Sequence, residues 1–134
     1  MAVFLSVKEL LSGAESAGLE LWEYVLRVSA DETGISTEHS WAQMAARLDA
    51  MKNADASYDA GMRSHSGLIG GDGAKMEAYA AGDGGICGEF IDSILAAALR
   101  MGECNACMHC IVAAPTAGAC GVLPAVLLPY GRRH

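Results

Sequence analysis

"EFIDSILAAALRM", residues 89–101, decides the class of this fold. Phe90, Ile94, Leu95, Ala98 and Met101 recur at three- and four-residue intervals, which puts them on one face of a helix. No stretch of the chain shows the strict two-residue alternation of a half-buried strand, and helical periodicity continues in both directions from this segment.

Towards the N-terminus, "AGDGGICGE" (81–89) reads as a loop, and before it "RSHSGLIGGDGAKMEAY" (63–79) places Gly67, Gly70, Gly71 and Gly73 within seven residues. Met76, Tyr79 and Ala80 then follow a helical pattern, so the glycine-rich turn opens a helix at Asp72 or Gly73. Further out, Trp41, Met44, Ala45, Leu48 and Met51 form a stripe that begins after Ser36 or Thr37 and reaches towards Tyr58. Leu21, Trp22, Val25, Leu26 and Val28 form another, ending in the polar turn "SADETG". Val7, Leu10, Leu11 and Ala14 form the first, behind the capping pair Ser6 and Glu9 and stopping near Gly18. Towards the C-terminus, "IVAAPTAGACGVLPAVLL" (111–128) is a loop followed by a buried helix from Gly121 to Leu128. The expected fold is all-α: a bundle of about six helices with two glycine-rich loops opening helices, in a single unit spanning 1–134.

Charge narrows the function. With a net charge of −7 and its one cationic cluster at Arg132 and Arg133, the chain offers no basic patch to a phosphate backbone, which excludes nucleic acid as the expected partner. The opening "MAVFLSVKELL" has too short an apolar run for an export signal, and five cysteines, an odd number, point to reduced thiols or metal ligands. A cytoplasmic protein is expected. The uncharged run 111–128 is long enough to cross a membrane. Pro115, Gly118, Gly121 and Pro124 argue against a continuous spanning helix, so no membrane is expected.

Three segments carry possible chemistry. "CNACMHC" (104–110) has Cys104, Cys107 and Cys110 at the spacing of the first three ligands of a bacterial ferredoxin, with Ala114 where the fourth cysteine would stand. On a helix, Cys104 and Cys110 would lie about 9 Å apart along the axis, and three thiolates in a line do not surround a cluster. Small buried cysteines are the plainer reading. Zinc through Cys104, Cys107 and His109 lacks an obvious fourth ligand. His65, beside the glycine loop, is the better placed histidine for a general base.

"SGLIGGDGAK" (66–75) is neither a Walker motif nor a dinucleotide fingerprint, since no strand precedes it. Its bland reading is a turn with Asp72 as the helix cap; its functional reading is a set of helix N-terminal amides holding an anion, with Lys75 one turn in. "APTAGACG" (114–121) makes the same offer, with Thr116 presenting a hydroxyl and Gly118 permitting close approach of a ligand. Two such loops suggest a small anionic ligand held between them.

Taken in order, "SHSGLIGGDGAKMEAY" and "NACMHCIVAAPTAGACGVLPAVLL" resemble the alpha chain of iron–sulfur-dependent L-serine dehydratase (L-serine deaminase). In that family a Ser-Gly-Leu-x-Gly-Gly-Asp loop precedes an Asn-Ala-x-Met-Gly segment and a Pro-Thr-Ala-Gly-x-x-Gly loop. The match is close at Ser66 to Asp72, at Asn105, Ala106 and Met108, and at Pro115 to Gly118.

The resemblance implies a lyase that converts L-serine to pyruvate and ammonia without pyridoxal phosphate. A [4Fe-4S] cluster with one open iron would polarise the hydroxyl while a base takes the Cα proton. It implies Ser66, Gly70, Gly71, Asp72, Lys75, Asn105, Thr116 and Gly118 near substrate, with Asn105 and Thr116 for the carboxylate and Asp72 for the ammonium or as a cap. The family's cluster cysteines lie in a later part of the alpha chain, so no metal ligand is expected within 1–134. His109 stands where the family has glycine, which bears on the backbone there. The chain is thus expected to be the N-terminal portion of a catalytic domain, partnered by the rest of the alpha chain and by a beta chain, with a homo-oligomer also open, and inactive alone.

Three other readings stay open. They are a cluster-dependent cysteine desulfidase relative, a small iron–sulfur or zinc module using Cys104, Cys107 and Cys110, and a helical scaffold that dimerises through 111–128.

Overall fold

Ser6 stands just ahead of the first helix, and its hydroxyl accepts the Glu9 backbone N–H at 3.2 Å, which satisfies one of the free donors of a helix start. This helix, α1 (Val7–Ala17), stops at Gly18, whose φ of 64° lets the chain turn in the left-handed region. The computed structural model describes residues 6–82, 85–114 and 116–134; there the chain is all-α, with six helices and no strand among the described residues. The remaining helices are α2 (Leu21–Thr33), α3 (Thr37–Ala56), α4 (Asp72–Ala80), α5 (Glu89–Ala106) and α6 (Val122–Arg133), with a 3₁₀ turn at Ala117–Ala119. None of the described helices is long and apolar enough to cross a membrane.

The chain packs as two compact units, Met1–Ala46 and Arg47–His134. In the first, α1 meets α2 where Gly13 leaves room for the Tyr24 ring; a Cβ at Gly13 would collide with the Tyr24 hydroxyl. Helix α2 runs through the polar "SADET" to Thr33 rather than ending before it, because Gly34, at φ 69°, is the residue that can leave the helix. Trp22 and Trp41 stack in a tilted pair with centroids 5.7 Å apart, yet both stay more than half exposed. The α3 stripe is therefore only partly a core face: Met51 is buried, whereas Trp41 and Met44 are exposed.

In the second unit α5 is the central helix. Gly73 at the start of α4 sits against Arg100, where a Cβ would come within 2.7 Å of the arginine side chain, and Gly121 before α6 sits against the Ala98 carbonyl. Glycine at both crossing points brings α4 and α6 close to α5. Ala54, Met101 and Cys120 pack at the centre, with Ile111 against them. Arg100, buried on α5, pairs with Asp55 of α3 and Glu77 of α4, each at 2.7 Å, and Arg132 of α6 reaches the other Asp55 oxygen. The four helices are thus tied by one charge network, in which each buried charge is compensated by a partner.

Helix α6 departs from expectation in two ways. It runs past Leu128 to Arg133, crossing Pro129, and it is half exposed, burying Pro124, Ala125, Leu128 and Pro129 and leaving Val122, Leu123, Val126, Leu127 and Tyr130 outward.

Candidate functional site

The glycine loop that precedes α4 is shaped by serine and arginine. Ser64 holds both ends of a tight turn: its N–H donates to the Ile69 carbonyl at 2.9 Å and its hydroxyl accepts from the Ile69 N–H at 3.1 Å. Ser66 lies within this turn, exposed, with its hydroxyl 3.1 Å from that of Ser64. Gly70 and Gly71 follow at φ 142° and 85°. A Cβ at Gly70 would strike the Met62 carbonyl, so that position demands glycine for room as well as for backbone angle, whereas one at Gly71 would meet only the movable Arg63 guanidinium at 3.2 Å and glycine is required there by the backbone angle.

The first-turn amides of α4 hold an anion that belongs to the chain itself. Glu103, on α5 and 3% exposed, accepts the Asp72 N–H at 2.6 Å and the Gly73 N–H at 3.2 Å through one carboxylate oxygen. Its other oxygen accepts the Tyr58 hydroxyl at 2.6 Å, and that hydroxyl in turn accepts the Ala74 N–H at 3.1 Å. Burial, then the bond to Glu103, pushes the Tyr58 hydroxyl up to about 12. Asp72 is not the cap of α4: its exposed carboxylate pairs with Lys75 at 2.8 Å, and that contact holds its pKa below the ordinary aspartate value. Glu103 and Tyr58 are the loop-holding residues least visible in sequence, because the bonds they make span 16 to 45 positions.

Two residues beyond Glu103, Asn105 donates its side-chain N–H to the Ala117 carbonyl at 3.1 Å, anchoring the second loop. Between the loops lies a groove of about 440 Å³ lined by Ile69 from the first, Ala98, Gly102, Asn105 and Ala106 from α5, and Gly118 and Gly121 from the second. A Cβ at Gly102 would meet nothing within 4 Å, and one at Gly118 would meet only the Thr116 hydroxyl at 3.9 Å, so the groove is kept open by missing side chains. Helix α6 starts at this groove with no side-chain cap of its own.

Of the residues singled out in sequence, Asn105 and Gly118 line the groove, and Gly70 directly follows its wall at Ile69. Ser66, Asp72, Lys75 and Thr116 lie outside the lining and are exposed, and Gly71 is buried beside Arg63.

The residues after Ala106 form a reversal in place of a continued helix. Cys107 caps α5, Met108 adopts φ 63°, and the Met108 and His109 N–H groups bond back to the Asn105 and Cys104 carbonyls. This is a Schellman turn with methionine where glycine is usual. It separates the three thiols. Cys104 is fully buried against the Ala54 carbonyl, and burial, with the Asp55 carboxylate adding to it, raises its pKa above that of an ordinary thiol. Cys107 is half-buried at the helix end, and Cys110 is exposed beyond the turn. A buried thiol held protonated is a poor metal ligand, and no group of three metal-binding side chains converges among the described residues. Cys104, Cys107 and Cys110 do not fit a cluster.

The sequence profile of the serine dehydratase alpha chain family matches residues 16–134. The chain belongs to this family. Two relatives share its sequence over nearly its full length. The probable L-serine dehydratase, alpha chain, of Bacillus subtilis (strain 168) is 31% identical over 125 residues, covering 93% of this chain and 42% of the relative. The L-serine dehydratase, alpha chain, of Peptoniphilus asaccharolyticus is 27% identical over 130 residues, covering 96% of this chain and 44% of the relative. The chain therefore spans less than half the length of these alpha chains. No solved structure matches it significantly. The matched part of this serine dehydratase alpha chain family member includes both glycine loops, all of α5 and the whole groove.

Proposed function

We propose that this chain supplies the amino-acid-holding part of an L-serine ammonia-lyase, with the groove between its two loops as the place where L-serine binds. The observation that carries this reading is that Ile69, Asn105 and Gly118, from three separate sequence motifs, meet around one small opening. The names of the relatives, both L-serine dehydratase alpha chains, supply the substrate.

The two loop-borne helix starts then have different roles. That of α4 is filled by Glu103 and serves to fix the first loop. That of α6 carries no side-chain cap and borders the groove, where its dipole and the Val122 and Leu123 amides favour the serine carboxylate, Pro124 in the same turn having no N–H to offer. Asn105 has one amide N–H committed to Ala117, and its amide oxygen suits the substrate ammonium. Held in this way, serine would lose its Cα proton and its hydroxyl together as water, and the resulting enamine, after tautomerising to the imine, would take up water to give pyruvate and ammonia. The [4Fe-4S] cluster that the family resemblance implies is assigned to the part of the alpha chain outside 1–134, since the cysteines here do not gather.

The test is a titration of isotope-labelled chain with L-serine, followed by the amide resonances of Ile69, Asn105, Gly118 and Val122. Saturable shifts at these positions, lost in Gly102→Leu, support the site. Shifts elsewhere, or none, refute it.

A further inference from the structure

This fold buries few branched or aromatic apolar side chains and leaves many of its large ones exposed. Among the described residues the buried apolar set is mostly alanine, methionine and cysteine, with Leu128 as its one branched aliphatic member. On α5, Ile91, Leu95 and Leu99 recur every fourth residue and are 42–44% exposed, on the same side as the groove residues Ala98, Gly102 and Ala106. Helix α6 runs antiparallel to α5, since Gly121 abuts Ala98 while Arg133 lies over the Phe90 ring at 5.3 Å. Val122 meets α5 in the groove, and Val126 and Tyr130 continue its face at four-residue steps, all at least half exposed. The result is one apolar face across two helices, continuous with the candidate substrate groove. An apolar surface of this extent marks an interface.

We infer that this face is the docking surface for the part of the alpha chain that the relatives possess beyond the matched stretch. Two observations select that occupant. The relatives carry more than half of their length outside the match, while 93–96% of this chain lies inside it, so each relative has a further stretch available to cover the face that has no counterpart within 1–134. The face also borders the groove, so whatever covers it stands at the edge of the proposed serine site and can close that site from water. The inference rests on the functional reading for its choice of partner and on the exposed face for its location.

The experiment co-expresses this chain with a polypeptide bearing the unmatched part of the Bacillus subtilis relative and, separately, of the Peptoniphilus asaccharolyticus one. Stoichiometry is read by sedimentation, and protection by hydrogen exchange. The expected result is a one-to-one complex with at least one of them, with new protection concentrated in residues 91–99 and 122–130. Leu95→Glu and Val126→Glu, both at exposed positions, each weaken it about tenfold or more. Absence of a complex with either polypeptide, or a complex that leaves these stretches unprotected, overturns the inference. So does a self-associated chain that both polypeptides fail to displace and both substitutions dissolve, since the occupant is then a second copy. A complex with the face protected that forms no pyruvate from L-serine leaves the docking intact and refutes the functional reading instead.

Discussion

Glu103 and Asn105, two residues apart in the last turns of α5, each hold one of the two glycine loops: Glu103 binds the amides of Asp72 and Gly73, and Asn105 binds the carbonyl of Ala117. One turn of helix therefore sets the spacing of both loops and with it the width of the groove. Cys104, between them, is fully buried with its thiol 3.8 Å from the Ala54 carbonyl.

Removing the Glu103 carboxylate strands three buried or half-buried donors at once, the Asp72 and Gly73 amides and the Tyr58 hydroxyl. Glu103→Ala is expected to cost about 3 kcal/mol or more, and Glu103→Gln, which retains one acceptor oxygen, roughly half of that. Urea unfolding of the two variants checks it; equal stabilities would show that the carboxylate does not hold the loop.

The sequence revealed the loops but not what shapes them. Gly70 and Gly71 are visible in sequence because a glycine cluster marks unusual backbone, Gly118 because it permits close approach, and a start of α4 at Asp72 or Gly73 and a stop of α1 near Gly18 follow from local chemistry. The Asp72 cap failed because a cap is usually local, whereas here the carboxylate arrives from a residue 31 positions away. For α6 the sequence leaves a buried helix and an exposed docking face both open, because its apolar composition suits either; only the packing shows which side is covered. The family, by contrast, was legible from three short motifs, and the groove is where those motifs meet.

Gly102 separates stability from binding. It lies within α5 with nothing within 4 Å of an added Cβ, so Gly102→Ala is expected to raise stability by about 1 kcal/mol through helix propensity alone. Gly102→Leu places a branched side chain in the groove, leaving the fold intact and removing the L-serine response. Thermal unfolding together with the serine titration reads both effects; a Gly102→Leu chain that still responds to serine would place the ligand elsewhere.

Met108 is the one non-glycine residue at positive φ among the described residues, and it is 91% exposed, so its side chain contributes no packing that offsets the backbone strain. Met108→Gly is expected to stabilise the chain by about 0.5–1 kcal/mol, the left-handed penalty outweighing the added freedom of the unfolded state. A melting temperature that falls in this variant would show that the methionine makes a contact the turn geometry does not reveal.

Tyr58 gives the chain a distinct alkaline limit. Its hydroxyl is raised from 10.0 to about 12 in the folded state, so the folded chain holds that proton more tightly than the unfolded one. The stability this contributes is whole below the unfolded value of 10.0 and is lost as pH climbs towards 12. Tyr58→Phe removes the donor to Glu103 and the acceptor for the Ala74 amide, and is expected to cost about 1–3 kcal/mol at neutral pH. The deficit then narrows as pH rises, because the wild type loses the contribution that the phenylalanine chain never had. Urea unfolding of both chains at neutral pH and at about pH 11 measures that difference. A gap that stays constant across this range would mean that Tyr58 does not carry its proton into the fold, and that Glu103 is held by the amides alone.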